Sequence, residues 1–331
     1  MKNSRINIAV LGLGYMGQNH ARILASMPGV KLVAVCDLDR SKSRELGDKY
    51  KAKHYQDFLH LIDHELLNAI FICLPTTLHY KASKHALKKK IAVFIEKPIS
   101  DSINQAKDLI QISVKNNIQI MIGHIERFNP VVQEIKKRID SGELGKIFYI
   151  HTQRFSPPPA RIQDVSVIVD LATHDVDIIN YLLGEEPTRI YAESRKTFHK
   201  YEDLTSAILR FKSGLMGLVE VSWLHPTKIR SISITGENGM YQANYITQEL
   251  FFYKQKEKIL KRGSVPLPEQ NWAEVIKIAF ESKEPLQIEL EAFINSLKTK
   301  SQMPVSAREG LNALVLTQKI SKSGETHKIL K

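Results

Sequence analysis

Cysteine is nearly absent from this chain of 331 residues, occurring only at Cys36 and Cys73. Each ends an apolar run, which suits a small buried side chain in a reducing compartment better than a disulfide or a metal site. Long apolar runs are missing as well. No stretch reaches the roughly 20 residues that span a bilayer. The N-terminus enters Ile6-Asn7-Ile8-Ala9-Val10-Leu11 without the sections of a signal peptide. A cytoplasmic protein with no membrane partner is expected. There is no internal repeat. Lysine and arginine outnumber the acids, 47 to 35, yet they are not concentrated. They fall in short groups such as Lys88-Lys89-Lys90 and Lys136-Lys137-Arg138, at predicted helix ends where the dipole favours cations. That scatter speaks against a nucleic-acid partner and remains compatible with an anionic small substrate drawn to a basic cleft. A hydrophobic content of 43% and a charged content of 25% are those of a globular protein, long enough for two domains.

What the chain does have, up to residue 123, is alternation. Residues 6–11 read as an apolar strand, followed by Gly12-Leu13-Gly14-Tyr15-Met16-Gly17, a helix-like stretch to Met27, and a strand from Lys31 to Asp37. Gly12 allows the tight turn, Gly14 lets the backbone approach a pyrophosphate, and Gly17 lets helix pack on strand. Tyr15 and Met16 lie within that turn, ahead of a helix whose free N–H groups suit a phosphate. Strand, G-x-G-x-x-G, helix, strand and acid in this order imply dinucleotide binding. Asp37 is placed to accept hydrogen bonds from the adenosine ribose, which favours NAD, while Arg40 leaves NADP open. The other reading of Asp37 is a helix cap near Ser41.

Further strands at 69–74, 91–95 and 118–122, separated by helices to about Lys89 and over about 102–114, imply a doubly wound parallel sheet. Ligands bind such a sheet at the carboxyl ends of its strands. That edge holds Leu74, Pro75 and Thr76, with His79 either beside the cofactor or on a helix surface. It also holds Phe94-Ile95-Glu96-Lys97-Pro98, where an apolar strand ends in an acid, a base and a proline. Glu96 and Lys97 either meet the cofactor there or sit in an exposed turn.

From residue 124 the pattern changes. His124-Ile125-Glu126-Arg127-Phe128-Asn129-Pro130 leads into a helix ending near Ser141, then a strand from Lys146 to Phe155. After Arg189 come strand-like runs separated by turn signals, which imply an α+β domain with a large, mostly antiparallel sheet. The domains are expected at 1–123 and 124–331, with the final helices, near 288–298 and 307–321, able to pack back on the first. Residues 255–284 read as loops with at most short helices. In Leu215 to Leu224 both faces are apolar: Leu215, Val219, Val221 and Trp223 on one, Met216, Leu218 and Leu224 on the other. The second face implies a partner subunit and so a homodimer or homotetramer. Asp170, His174, Asp177 and Tyr181 recur at helical spacing, with Asp170 and His174 four apart. The structural alternative is an amphipathic helix with Asp170 as N-cap and His174 on its wet face. No second histidine at matching spacing points to a metal.

Taken together, GLGYMG at 12–17, EKP at 96–98, ERFNP at 126–130 and D-x-x-x-H at 170–174 resemble the glucose-fructose oxidoreductase, inositol dehydrogenase and MocA (Gfo/Idh/MocA) family over essentially the whole chain. The resemblance implies a Rossmann domain, an NAD cofactor and oxidation of a sugar secondary alcohol. It makes Lys97 an acid/base or orienting residue, His174 its partner against the substrate, and Asp170 their neighbour. It also makes Arg127, Asn129, Arg154 and Arg161 substrate contacts, with salt bridging as the other reading of the arginines. One departure is Val167-Ile168-Val169, where many members carry glycines. The texture of residues 123–184 is most similar to members that oxidise the 3-hydroxyl of UDP-N-acetylglucosamine. The implied chemistry is removal of a hydroxyl proton as hydride passes to the nicotinamide, with no metal required. A downstream aminotransferase would draw off the ketone. A free-sugar or inositol-type dehydrogenase, and a catalytically silent NAD-binding sensor or scaffold, are the alternatives.

Overall fold

The computed structural model describes residues 5–158, 165–256 and 273–331. It forms two compact units, Met1–Ile125 with Glu284–Val315, and Glu126–Lys283 with Leu316–Lys331.

The first unit is built on β1 (Ile6–Leu11), β2 (Val30–Cys36), β3 (Lys53–Tyr55), β4 (Ala69–Ile72), β5 (Ala92–Glu96) and β6 (Ile120–Gly123). Pairing is parallel throughout, in the order β3-β2-β1-β4-β5-β6. Every residue of β4 is buried, as are Ala92 to Ile95 of β5, because helices cover both faces of a doubly wound sheet. The crossovers are α1 (Tyr15–Ser26), α2 (Arg40–Tyr50), α3 (Phe58–His64), α4 (Thr76–Lys88) and α5 (Ile103–Asn116). The strand order reverses between β1 and β4, so the carboxyl ends of these two strands border the crevice where such sheets bind ligands. Strand β3 and helix α3 have no counterpart in the sequence reading. Their segment carries no apolar run, and β3 is a three-residue edge strand with Lys53 and His54 exposed.

The second unit opens with a 3-10 turn, Ile125–Phe128, of which Glu126 onward belongs to it, and α6 (Pro130–Asp140). Strand β7 (Ile147–Phe155), a π-helical turn (Ile168–Ala172) and α7 (Thr173–Leu183) follow. Then come β8 (Pro187–Arg195), β9 (Leu204–Phe211), β10 (Met216–Ser222), β11 (Ile229–Gly236), β12 (Gly239–Asn244), β13 (Glu249–Gln255) and β14 (Ala273–Ile278). The sheet order is β14-β13-β12-β11-β7-β10-β9-β8. All pairs are antiparallel except β7 with β10, which run parallel because α7, β8 and β9 intervene between them in sequence. One face packs on the helices: Val131, Ile135, Val176 and Ile179 share a core with Val219, Val221, Ile232 and Ile234. Within 215–224 the two faces divide as the alternation requires. Leu215, Val219, Val221 and Trp223 are buried, while Met216 is 43% exposed and Leu218 and Leu224 are partly exposed.

Strand β14 corrects the reading of 255–284 as loops and short helices. Its residues pair with β13, but as an edge strand it leaves Val275 58% exposed and so shows no one-sided apolar face in the sequence. The remainder of that segment, 257–272, lies outside the described residues.

Helix α8 (Pro285–Thr299) belongs to the first unit, where Phe293 packs edge-on against Phe71 and Phe94 at 5.1 and 5.6 Å. Helix α9 (Ala307–Thr326) starts in the first unit, and from Leu316 onward it lies in the second. Among the described residues, no helix is long and apolar enough to cross a membrane.

Candidate active site

In the first unit the glycine turn is tightly specified. Gly12 has φ +85°, and a Cβ there would lie 2.5 Å from the Cys73 carbonyl oxygen. A Cβ on Gly17 would collide with the Gly12 carbonyl at 1.8 Å, whereas one on Gly14 would meet nothing within 4 Å. Two glycines therefore close the turn, and the third leaves open space at the helix entrance. Helices α2, α3 and α5 are capped by Asp39, Asp57 and Ser102, but α1 and α4, which start beside the strand-order reversal, have no side-chain cap. Uncapped N–H groups and a positive dipole end are what a phosphate requires. Asp37 accepts from the Leu13 N–H at 2.6 Å and the Asp39 N–H at 2.9 Å, which holds its carboxylate beside the turn. The helix near Ser41 is capped by Asp39, so that alternative for Asp37 does not hold. Tyr15 is 69% exposed and Met16 partly buried at the helix start. The open Gly14, the uncapped α1 and the acid at the end of β2 fit a dinucleotide.

At the end of β5, Lys97 is partly buried and joined to Pro98 by a cis peptide bond. Glu96 Oε1 lies 2.7 Å from His20 Nε2, which ties α1 to β5. His20 is fully buried, its ring edge-on to Phe94 at 5.3 Å. The sequence reading passed over it, although it shares the inward stripe of α1 with Gly17, Ala21 and Leu24. Cys73 lies close to this pair, the ligand atoms of all three falling within 4.8 Å of one another. Burial, with Glu96 beside it, raises the Cys73 thiol well above its ordinary range. His79 is corrected too. It is 1% exposed, not on a helix surface, and its ring lies between the carbonyl oxygens of Pro98 and Leu74, each at 2.8 Å. Both oxygens ask for an N–H and a neutral ring has one. Burial opposes the second proton and lowers the histidine's affinity for it. His79 thus fixes the turn after Lys97 against the end of β4. Pro75 precedes the first residue of α4, Thr76.

In the second unit, Asp170 lies in the π-helical turn and His174 in the first turn of α7, both partly buried. Such π turns recur at functional sites. Asp170 is not the N-cap that its spacing suggested, because the helix begins earlier and Ser166 Oγ accepts from the Val169 N–H at 3.4 Å. Nor is the stripe through 170, 174, 177 and 181 uniformly wet: Asp177 is 2% exposed.

Its partner is Arg127, whose Nε and Nη2 donate to Asp177 at 2.8 and 2.7 Å, with both side chains buried. Arg154 is 1% exposed and donates through Nε to both oxygens of Asp175 at 3.1 Å and through Nη1 to Glu126 at 2.7 Å. Asn129 is 3% exposed, caps α6 and donates to the Tyr245 carbonyl at 3.2 Å. Three of the four expected substrate contacts therefore have partners inside the fold, the two arginines because isolated buried charges need them and Asn129 because a buried amide must be hydrogen-bonded. The fourth, Arg161, lies outside the described residues. Glu126 and Asp175 compete for one guanidinium. Burial raises Asp175, while at Glu126 the pull of Arg154 overcomes burial and lowers it. Beside them lies Arg230, which the sequence reading missed.

Residues 6–124 match the model of the oxidoreductase family described by its NAD-binding Rossmann fold, and residues 132–242 match the Gfo/Idh/MocA C-terminal domain. A scyllo-inositol 2-dehydrogenase (NAD(+)) of Bacillus subtilis is 32% identical over 238 residues, 67% of this chain and 68% of its own. This chain belongs to the Gfo/Idh/MocA oxidoreductase family. Another similar member is a UDP-N-acetylglucosamine 3-dehydrogenase of Acidithiobacillus ferrooxidans, 24% identical over 288 residues, 87% of each chain. A solved structure of a UDP-N-acetylglucosamine 3-dehydrogenase from that organism superposes with a TM-score of 0.86 at 21% identity, covering 97% of this chain and 98% of its own. That likeness establishes the shared fold. As a Gfo/Idh/MocA protein, this chain is an oxidoreductase whose first unit is the family's NAD-binding Rossmann fold.

Proposed function

We propose that this protein oxidises a secondary alcohol of a sugar to a ketone with NAD, its substrate being UDP-N-acetylglucosamine and the reacting position the 3-hydroxyl. The observation that carries the dehydrogenase reading is the position of Lys97, directly after β5 on the strand-end edge where the Gly12–Gly17 turn leaves α1 uncapped. In this reading the turn and α1 bind the pyrophosphate, and Asp37 binds the adenosine ribose. NAD held there would supply the hydride acceptor. Lys97 takes the hydroxyl proton, while Asp170 and His174 hydrogen-bond the sugar and orient it. A lysine holds its proton too tightly for this work in water, and a site that excludes water is the physical route to a usable base. The choice of a nucleotide sugar is supported by the excess of 47 basic over 35 acidic residues, which suits a diphosphate, and by the Acidithiobacillus relative; a myo-inositol 2-dehydrogenase of Thermotoga maritima, 27% identical over 98% of each chain, stands on the other side. A second reading, an inositol-type dehydrogenase, is favoured by the higher identity of the Bacillus relative, 32% over a shorter span.

A small-molecule ketone product implies a consumer, which we take to be an aminotransferase, since oxidation of a simple alcohol by NAD is uphill at neutral pH. We further propose a homo-oligomer, dimer or tetramer, formed through the open face of the second unit's sheet.

The test is to incubate the protein and NAD with UDP-sugars, UDP and free inositols, with a carbonyl trap present, and to follow NADH. NADH from UDP-N-acetylglucosamine but not from its 3-deoxy analogue is expected. NADH from inositol alone would establish the second reading. Tight NAD binding with no NADH from any sugar would make the protein a nucleotide sensor.

A further inference from the structure

Arg230 and Arg154 stand directly opposite each other on the antiparallel strands β11 and β7. Arg230 alternates in phase with Ile232 and Ile234, 1% and 0% exposed, so it belongs to the sheet face that the helices cover. Like charges opposed across two strands repel, and a guanidinium taken out of water needs a counter-charge. Of the three carboxylates that act on it electrostatically, those of Glu126 and Asp175 are both bound to Arg154. Among the described residues, the Arg230 guanidinium has neither an ion-pair nor a hydrogen-bond partner. Arg230 is only partly buried, so a ligand can reach it. Burial, and then Arg154, lower its hold on its proton, the signature of a cation short of compensation. Asp170, assigned above to the sugar, lies within electrostatic reach of it.

We propose that Arg230 selects an anionic sugar by pairing its guanidinium with a carboxylate or phosphate oxyanion of the substrate, and so disfavours neutral polyols. A planar fork of N–H donors suits either oxyanion. The proposal deepens the sugar-dehydrogenase reading and rests on it for the identity of the ligand as substrate. It also explains why the cation is left uncompensated in the unliganded fold, where an internal carboxylate would close the site.

The experiment titrates the NAD-loaded protein with glucuronate, glucose 6-phosphate and UDP, following binding heat, for the unmodified chain, Arg230→Gln and Arg230→Lys. The unmodified chain is expected to bind at least one of the three, and the one bound identifies the oxyanion as carboxylate, phosphate monoester or diphosphate. Arg230→Gln should weaken that binding by about 10- to 100-fold, the worth of a charge-assisted hydrogen bond, with Arg230→Lys between. NAD affinity should be unchanged. In turnover, the loss should fall on KM for the anionic sugar. The melting temperature of unliganded Arg230→Gln should match or exceed that of the unmodified chain, because the substitution relieves repulsion with Arg154. A purely structural arginine would give a lower one. Equal binding of all three anions by the unmodified chain and Arg230→Gln, or binding of none by the unmodified chain, overturns the proposal. Absence of NADH from every sugar would overturn the dehydrogenase reading alone, since the titration needs no turnover.

Discussion

Lys97, the base of the proposed reaction, lies one residue beyond β5, and its surroundings are held from two sides. Glu96 is bound to His20, and the Pro98 carbonyl to His79. Lys97→Ala should therefore lower turnover by roughly 10²- to 10⁴-fold, the usual contribution of a general acid or base, while NAD affinity changes little. Near-normal turnover at saturating substrate would remove Lys97 from proton transfer. In the proposed binding mode Asp37 has two tasks, since its carboxylate would bind the ribose while it already holds the Leu13 and Asp39 N–H groups. Asp37→Ser should weaken NAD and relax discrimination against NADP. Asp37→Asn keeps an oxygen acceptor for the turn, so it should relax discrimination with a smaller loss of NAD. Tighter binding of NADP than NAD by the unmodified chain would transfer that pocket to Arg40 or another base.

At the same scale, the glycines and the arginines differ in how much their sequence neighbourhood reveals. Gly17 answers a constraint posed five places away by the Gly12 carbonyl, and Gly12 has a positive φ of its own, so the spacing of the turn identifies both even though the carbonyl nearest Gly12 belongs to Cys73. The arginines answer acids at a distance: Asp177 lies 50 positions from Arg127, and Glu126 lies 28 from Arg154. Local sequence could not show that these two were already paired. Arg230 did leave a signal, a charge in step with two buried isoleucines.

At the scale of elements, the buried pair of Arg127 and Asp177 joins the turn before α6 to α7, with the guanidinium 5.0 Å from the Tyr181 ring centre. Removing one partner strands a buried charge. Arg127→Met should cost about 3–5 kcal/mol in urea unfolding. The double variant Arg127→Met with Asp177→Leu should recover most of that, because well-packed apolar residues replace a buried ion pair at little or no net cost. Equal destabilisation by the single and double variants would show that packing, not charge, is lost. The helical spacing of Asp170, His174 and Asp177 was legible, but which side of that stripe was dry was not. A helix pattern reports polarity, and a paired carboxylate is polar in sequence and buried in the fold. The π-helical turn carrying Asp170 was equally hidden, since Ile168 to Ala172 contains no glycine or proline to mark it.

For the whole molecule, the doubly wound sheet was readable because every βα unit repeats the same apolar period. Edge strands β3 and β14 were not, since each leaves much of its length exposed. That the final helices could pack back on the first domain was open from the sequence, but the contact that places α8 there was not legible, since Phe293 meets Phe71 and Phe94 across some two hundred positions of chain. The large sheet of the second unit leaves a consequence at this scale. Its uncovered face carries Ile208 at 46% and Met216 at 43% exposure, and Leu218 lies opposite Ile208 across the strand pair. Tyr149 lies opposite Met216 on β7, and beyond it Phe251 and Tyr253 occupy the same side of β13. These apolar side chains share the face with His151, Gln153, Glu220 and Ser233, a mixed surface that a second copy of the chain would cover with both apolar and hydrogen-bonded contacts. Met216→Asp places a charge on that face without touching the buried residues of β10. It should shift the sedimentation profile toward monomer while leaving the melting temperature of the isolated subunit and NAD binding in place. An unmodified chain that sediments as a monomer at micromolar concentration would show that the face stays open to solvent, and the oligomer would have to be abandoned.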